Sequence, residues 1–107
     1  MDALDKAMRY SELLSLYGNL LSNTQKDILE DYYAFNLSIS EIAENRHVTR
    51  SAVEDAIKKG KKKLESLEKK IGNLSLLEKI YAIKAHISDK QILSELDELE
   101  RMMKHGI

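Results

Sequence analysis

Apolar positions in this chain recur at intervals of three and four almost from end to end, the spacing that lines one side of an α-helix. Polar breaks separate these blocks, and four of them read as capping boxes. In such a box a side-chain oxygen and the residue three places on satisfy each other's free N–H groups. The pairs are Ser22 with Gln25, Ser38 with Glu41, Ser75 with Glu78, and Ser88 with Gln91, while Asp2 suits the start of a first helix. The pattern predicts six helices, at about 3–17, 23–35, 39–45, 50–71, 75–86 and 89–104. Core-facing positions expected from the periodicity are Leu4, Ala7, Met8, Leu14 and Tyr17 on the first, then Ile28, Leu29, Tyr32 and Phe35 on the second. The fifth presents Leu76, Leu77, Ile80, Ile83 and Ile87, and the last Ile92, Leu96, Leu99 and Met103. The expected fold is all-α, a helical bundle forming a single domain over 1–107, with a C-terminal helical pair at about 75–104.

The third and fourth helices carry a more particular pattern, a helix-turn-helix over about 38–64. Ala43 gives the short helix a small face for a close crossing, Arg46–Val48 form the turn, and Thr49 can cap the next helix. Val53, Ala56 and Ile57 then point back at Ile42 and Ala43. The fourth helix continues well past that corner. Its Val53, Ile57, Gly60, Leu64, Leu67 and Ile71 alternate spacings of four and three, a heptad seam that needs a cover. Helices five and six, or a second copy of the chain, are the expected cover, and a homodimer through the C-terminal half follows. Gly60 on that seam costs about 1 kcal/mol in helix propensity relative to Ala, which points to a close backbone approach or a bend. Gly72-Asn73 ends the helix.

Composition sharpens this picture in two places. The chain has no cysteine and no proline, so disulfides and thiolate metal sites are excluded. No apolar run is long enough to span a membrane, and a cytoplasmic protein is expected. Its net charge of −1 hides an uneven distribution. Residues 1–45 hold three basic and eight acidic groups, 46–72 nine basic and four acidic, and 73–107 five basic and six acidic. A basic centre in an otherwise acidic chain marks a phosphate-facing surface or an exposed, solubilising helix.

Catalytic patterns are missing. His47, His86 and His105 are far apart in sequence, and there is no glycine-rich phosphate loop or nucleophile elbow. The acids sit on polar faces beside lysines, where i,i+4 pairing is the ordinary role. No enzyme activity, metal or cofactor is expected. The candidate nucleic-acid contacts are Thr49, Arg50 and Ser51 at the head of the fourth helix and Lys58, Lys61 and Lys62 further along. Glu54 and Asp55 oppose this role, since carboxylates repel phosphates, although one can accept from a cytosine amine.

The stretches Leu21-Ser22-x-x-Gln25, Tyr32-Tyr33, Ser38-x-Ser40-Glu41-Ile42-Ala43-Glu44 and Val48-Thr49-Arg50-x-Ala52-Val53-x-Asp55-x-Ile57-Lys58 resemble bacterial sigma-factor region 4. With Leu16-Tyr17 upstream and the long helix downstream, the chain more closely resembles the YlxM family of small helix-turn-helix proteins, over about residues 8–74. The resemblance implies a sigma-region-4-like helical protein of the bacterial cytoplasm. It also implies a regulator of the signal recognition particle pathway, a link resting on genes that lie beside that of the particle's GTPase. Departures from the family pattern are Arg46 for an apolar plug of the turn, Ser51 for Gln, and Lys59-Gly60-Lys61 for Arg-Thr-Glu.

The leading expectation is a non-enzymatic accessory factor whose residues 46–70 meet the RNA phosphates or the GTPase of that particle. A dimeric DNA-binding transcription regulator is the alternative. A dimeric interaction module without a nucleic-acid role is a third reading, since fold does not fix function.

Overall fold

The computed structural model describes residues 2–105. Six α-helices follow one another: α1 (Ala3–Tyr17), α2 (Asn23–Tyr33), α3 (Ile39–Arg46), α4 (Arg50–Ile71), α5 (Asn73–Lys84) and α6 (Lys90–His105), with a 3-10 turn at Gly18–Leu20 after α1. Among the described residues there is no strand, and no helix is long and apolar enough to cross a membrane.

Local capping sets four of the helix starts as the sequence predicts. Asp2 accepts from the Asp5 N–H at 2.8 Å, Ser22 from Gln25 at 3.2 Å, and Thr49 from Ala52 at 3.0 Å. Ser38 and Glu41 form the full reciprocal box, at 3.1 Å in each direction. The last two helices start differently. Gly72 ends α4 in the left-handed region at φ 78°, and the chain enters α5 at once at Asn73, two residues before the expected start. Glu68 of α4 replaces Ser75 as its cap, accepting from the N–H groups of Leu74 at 2.8 Å and Ser75 at 3.3 Å. Asp89, not Ser88, caps α6, accepting from Gln91 at 2.9 Å and Ile92 at 3.1 Å. In both places a carboxylate holds the positive end of a helix, where negative charge is favoured. The second helix is shorter than expected. It stops at Tyr33, Asn36 turns the chain at φ 55°, and Phe35 is left 67% exposed.

α4 is the axis. It packs against α1, α2 and α3, which together cover the heptad seam. Val53, Ile57, Gly60 and Leu64 are buried, and Leu67 and Ile71 emerge as the seam runs past its partners. The expectation that α5, α6 or a second copy covers it is therefore corrected: the three preceding helices do. Gly60 allows the approach of α2, because a Cβ there would stand 2.6 Å from Leu29 Cδ1. Burial on α1 lies in its C-terminal half, at Leu13, Leu14, Leu16 and Tyr17, while Leu4 and Met8 are exposed. On α5 the inward residues are Leu74, Leu77 and Ile80, whereas Leu76 and Ile83 face out.

α6 has no buried residue. Its predicted stripe is partly open, with Ile92 and Leu99 exposed and Leu96 and Met103 half-buried. Polar ties hold it instead. Lys84 donates to Asp97 and to Glu100, and Lys104 reaches Glu12 of α1 at 3.6 Å. α6 packs against α1 and α5, whereas α3 packs against α2 and α4. The molecule measures 50 × 24 × 24 Å.

Candidate nucleic-acid interface

The corner between α3 and α4 is built from small and branched apolar residues. Ile42, Ala43, Val53 and Ile57 are buried together in one cluster. The chain reverses at His47, which takes the left-handed conformation at φ 56° and donates its N–H back to Glu44 O, while Val48 N–H bonds Ala43 O at 3.1 Å. Arg46, where an apolar plug was expected, extends instead to the buried Asp31 of α2, and its Nε donates to Asp31 Oδ2. That hydrogen bond holds the guanidinium above its ordinary value. The pair braces the end of α3 against α2, so the charge tightens the corner by ion pairing where a methyl-rich side chain would do so by packing.

Beyond the corner, the candidates separate. Thr49 gives its side-chain oxygen to the Ala52 N–H, which leaves its own O–H free to donate. Arg50 and Ser51 stand exposed on the first turn of α4. Ser51, Asp55, Lys58, Lys62 and Lys69 share the solvent face opposite the seam, all exposed. Lys61 does not join them. It is half-buried, with its Nζ 4.8 Å from the centroid of the Tyr10 ring. So Ser51, Lys58 and Lys62 lie on one accessible face, the exposed Arg50 stands about a quarter turn to its side, and Lys61 turns to α1.

The carboxylates of this segment explain how a chain of net charge −1 exposes a cationic face. Glu65 is drawn to α1, where Arg9 grips it in a fork of 2.8 and 2.9 Å. That hydrogen bond holds the Glu65 carboxyl below its ordinary value and the Arg9 guanidinium above it. Glu68 is taken up by the Tyr17 hydroxyl at 2.7 Å and the start of α5. Asp55 pairs with Lys59 at 3.0 Å, one turn on. Glu54 is left as the unpaired acid, while Lys58, Lys62, Lys63, Lys69 and Lys70 make no ion pair among the described residues. Arg46 and Lys61 are withdrawn as well, so the outward excess equals that of the sequence, but the exposed lysines are left with fewer carboxylates among them. The expectation that these acids pair with lysines one turn away holds for Asp55 and is corrected for Glu65 and Glu68, which turn to other helices. Their partners lie 56 and 51 residues away in sequence, beyond the reach of a local pattern.

Such a face can do two things chemically. Unpaired ammonium groups neutralise phosphates without reading sequence, and an exposed Arg and Ser at a helix start can reach base edges or other hydrogen-bonding groups. Among the described residues no three His, Asp or Glu side chains gather to hold a metal ion.

Comparison with known proteins agrees with this geometry. Residues 4–105 match the UPF0122 family, described as "Putative helix-turn-helix protein, YlxM / p13 like". The UPF0122 protein MYPE4850 of Malacoplasma penetrans is 44% identical over 93 residues, covering 84% of each chain. A UPF0122 protein of Lactococcus lactis is 36% identical over 106 residues, 92% of this chain and 94% of its own. The UPF0122 protein FN1394 of Fusobacterium nucleatum is 40% identical over 84 residues, 78% of this chain and 75% of its own. With the corner in place and relatives aligned along most of its length, this chain belongs to the UPF0122 family of YlxM / p13-like proteins.

Proposed function

We propose that this protein is a non-enzymatic regulatory factor of the signal recognition particle pathway, binding the particle's RNA through the outer face of α4 and standing against its GTPase. The observation that supports this most is the row of unpaired lysines at 58, 62 and 69, flanked by Lys63 and Lys70, which remains after Glu65 and Glu68 are turned inward. Such a row tracks phosphates and is indifferent to base sequence. Retention of the particle's RNA and GTPase on the purified protein, compared with random duplex DNA across a salt series, is the test. Retention of the particle components but not of the duplex at about 50 mM salt, where counterion release weakens binding least, is expected. Loss of both components at that salt defeats the reading.

A second reading, a dimeric DNA-binding transcription regulator, is favoured by one observation: Arg50 and Ser51 are exposed at the head of α4. On that reading Arg50→Ala costs about 1–3 kcal/mol and relaxes base preference. Binding to duplex DNA that ignores both sequence and Arg50 removes it.

Self-association through the C-terminal half belongs to either reading. With the α4 seam covered within the chain, its support now rests on α6, where Ile92, Leu99 and Met102 are exposed along one side. Sedimentation at twice the mass of one chain, falling to one in Leu99→Glu, is the expected result. A single-chain mass across a wide concentration range refutes it.

A further inference from the structure

A cleft of about 550 Å³ opens between the start of α1, the end of α2 and the link to α3. Tyr32 and Tyr33 form its aromatic wall, and Lys6, Asn36, Glu41 and Lys61 stand around it. The rings are fixed by one another. Tyr33 stacks on Tyr10 with centroids 5.7 Å apart, and Tyr32 meets Tyr33 edge to face at 4.9 Å. Packing alone explains why three tyrosines meet. Lys61 is held there by Tyr10, over whose ring its ammonium stands at 4.8 Å, whereas the exposed Lys6 brings a second cation from α1 without an ion-pair partner among the described residues. Glu41 offsets one of the two charges, and its Oε1 is held to the far rim by the Ser38 N–H at 3.1 Å.

An aromatic wall beside paired cations suits a ligand that is flat on one side and anionic on the other, and a nucleotide is such a ligand. The cleft also adjoins the lysine face. Lys61 lines the cleft, and its neighbour Lys62 lies on the outer stripe of α4. Phosphate-tracking lysines beside a stacking platform are the arrangement by which single strands are held without sequence preference. A base within a duplex stack cannot enter such a cleft unless it is first turned out.

We infer that this cleft receives one unpaired base of a single-stranded nucleic acid, stacked on Tyr32, with the adjoining phosphate between Lys6 and Lys61. The inference rests on the reading of α4 as a nucleic-acid face and adds to it the class of strand that is recognised.

The probe is a labelled ten-nucleotide unstructured RNA, titrated against the full chain by anisotropy. Intrinsic tyrosine emission is followed in parallel, since the chain has five tyrosines and no tryptophan. Binding should quench that emission. Tyr32→Leu and Lys6→Gln should each weaken binding about tenfold, the scale of losing one base stack or its phosphate contact. Tyr32→Phe, which keeps the ring, should bind within about twofold of the parent on the same reasoning. Lys6 is exposed, so its substitution decides the matter if Tyr32→Leu fails to fold.

Unchanged affinity in Lys6→Gln overturns the inference, as does equal binding and quenching by a blunt duplex of the same sequence. A DNA strand of that sequence separates the sources: equal binding supports any single strand as the ligand, and loss supports RNA read through its 2′-hydroxyl. Particle RNA held equally by the parent and both cleft variants removes the cleft but leaves the proposed function. Oligonucleotide binding through the cleft without retention of particle RNA does the reverse.

Discussion

At the scale of single residues, Gly60 is the position with least freedom. Alanine there gains about 1 kcal/mol of helix propensity but drives a methyl to 2.6 Å from Leu29 Cδ1 and 3.2 Å from its Cγ. Leu29 is fully buried, so it has little room to retreat. Overpacking of this kind costs about 1–3 kcal/mol, and Gly60→Ala should therefore lose about 1 kcal/mol net in urea unfolding. Trimming Leu29 to Ala should remove that penalty, giving a double-mutant coupling of about 1 kcal/mol. A Gly60→Ala chain more stable than its parent would show that the Leu29 side chain yields to the added methyl. Tyr17 is constrained by chemistry rather than volume. Its hydroxyl donates to Glu68 at 2.7 Å and accepts from the Asn73 N–H at 3.0 Å, and burial beside that carboxylate pushes it up to about 12 from an ordinary 10.0. The fold favours the neutral phenol. Its contribution should be complete below pH 10 and fade as pH climbs toward 12, a decline measurable by denaturation at a series of alkaline pH values. Tyr17→Phe should cost about 1–2 kcal/mol at neutral pH and show a shallower alkaline decline.

At the scale of elements, the same clamp makes a prediction about α5. Glu68→Ala strips the cap from the Leu74 and Ser75 N–H groups, and lost caps cost about 1 kcal/mol. Hydrogen exchange should speed up at the start of α5, while amides of α2 beside Leu29 keep their protection; equal acceleration in both would mean that Glu68 acts globally. These elements also mark where the sequence was readable. α1 to α4 each begin just after a side chain that caps the N–H three places on, and a local pattern records that. The start of α5 depends on a carboxylate six residues back across a left-handed glycine, which a box pattern anchored on Ser75 does not register. Periodicity found the apolar side of α2 and α4, but on α1 it missed the buried Leu13 and Leu16, and on α5 it missed Leu74. Leu4 and Met8 lie on the side of α1 turned away from Leu13 and Leu16, because the fold chose between two apolar sides of that helix, and Ile92 sits on a stripe of α6 that is only partly covered. For the candidate residues, what the sequence made legible is exposure. Arg50, Ser51, Lys58 and Lys62 follow from position on a helix, whereas Lys61 was set aside by Tyr10, an aromatic partner from a distant part of the chain.

At the scale of the whole molecule, charge is sorted by folding as much as by sequence. Two carboxylates of the basic segment serve α1 and α5, so the salt dependence of nucleic-acid binding should follow the lysines left outside. Lys58→Gln and Lys62→Gln should each lower the slope of log affinity against log salt by about 1, with little change in preference between sequences. Slopes unchanged in both variants would place the contact elsewhere. The 50 Å body holds α3 and α6 on different helices, the first on α2 and α4 and the last on α1 and α5. A ligand seated at the corner therefore leaves the terminal hairpin uncovered. The chain has the build of a bracket, in which one end can be bolted to a large assembly while the other still offers its apolar strip to a second body.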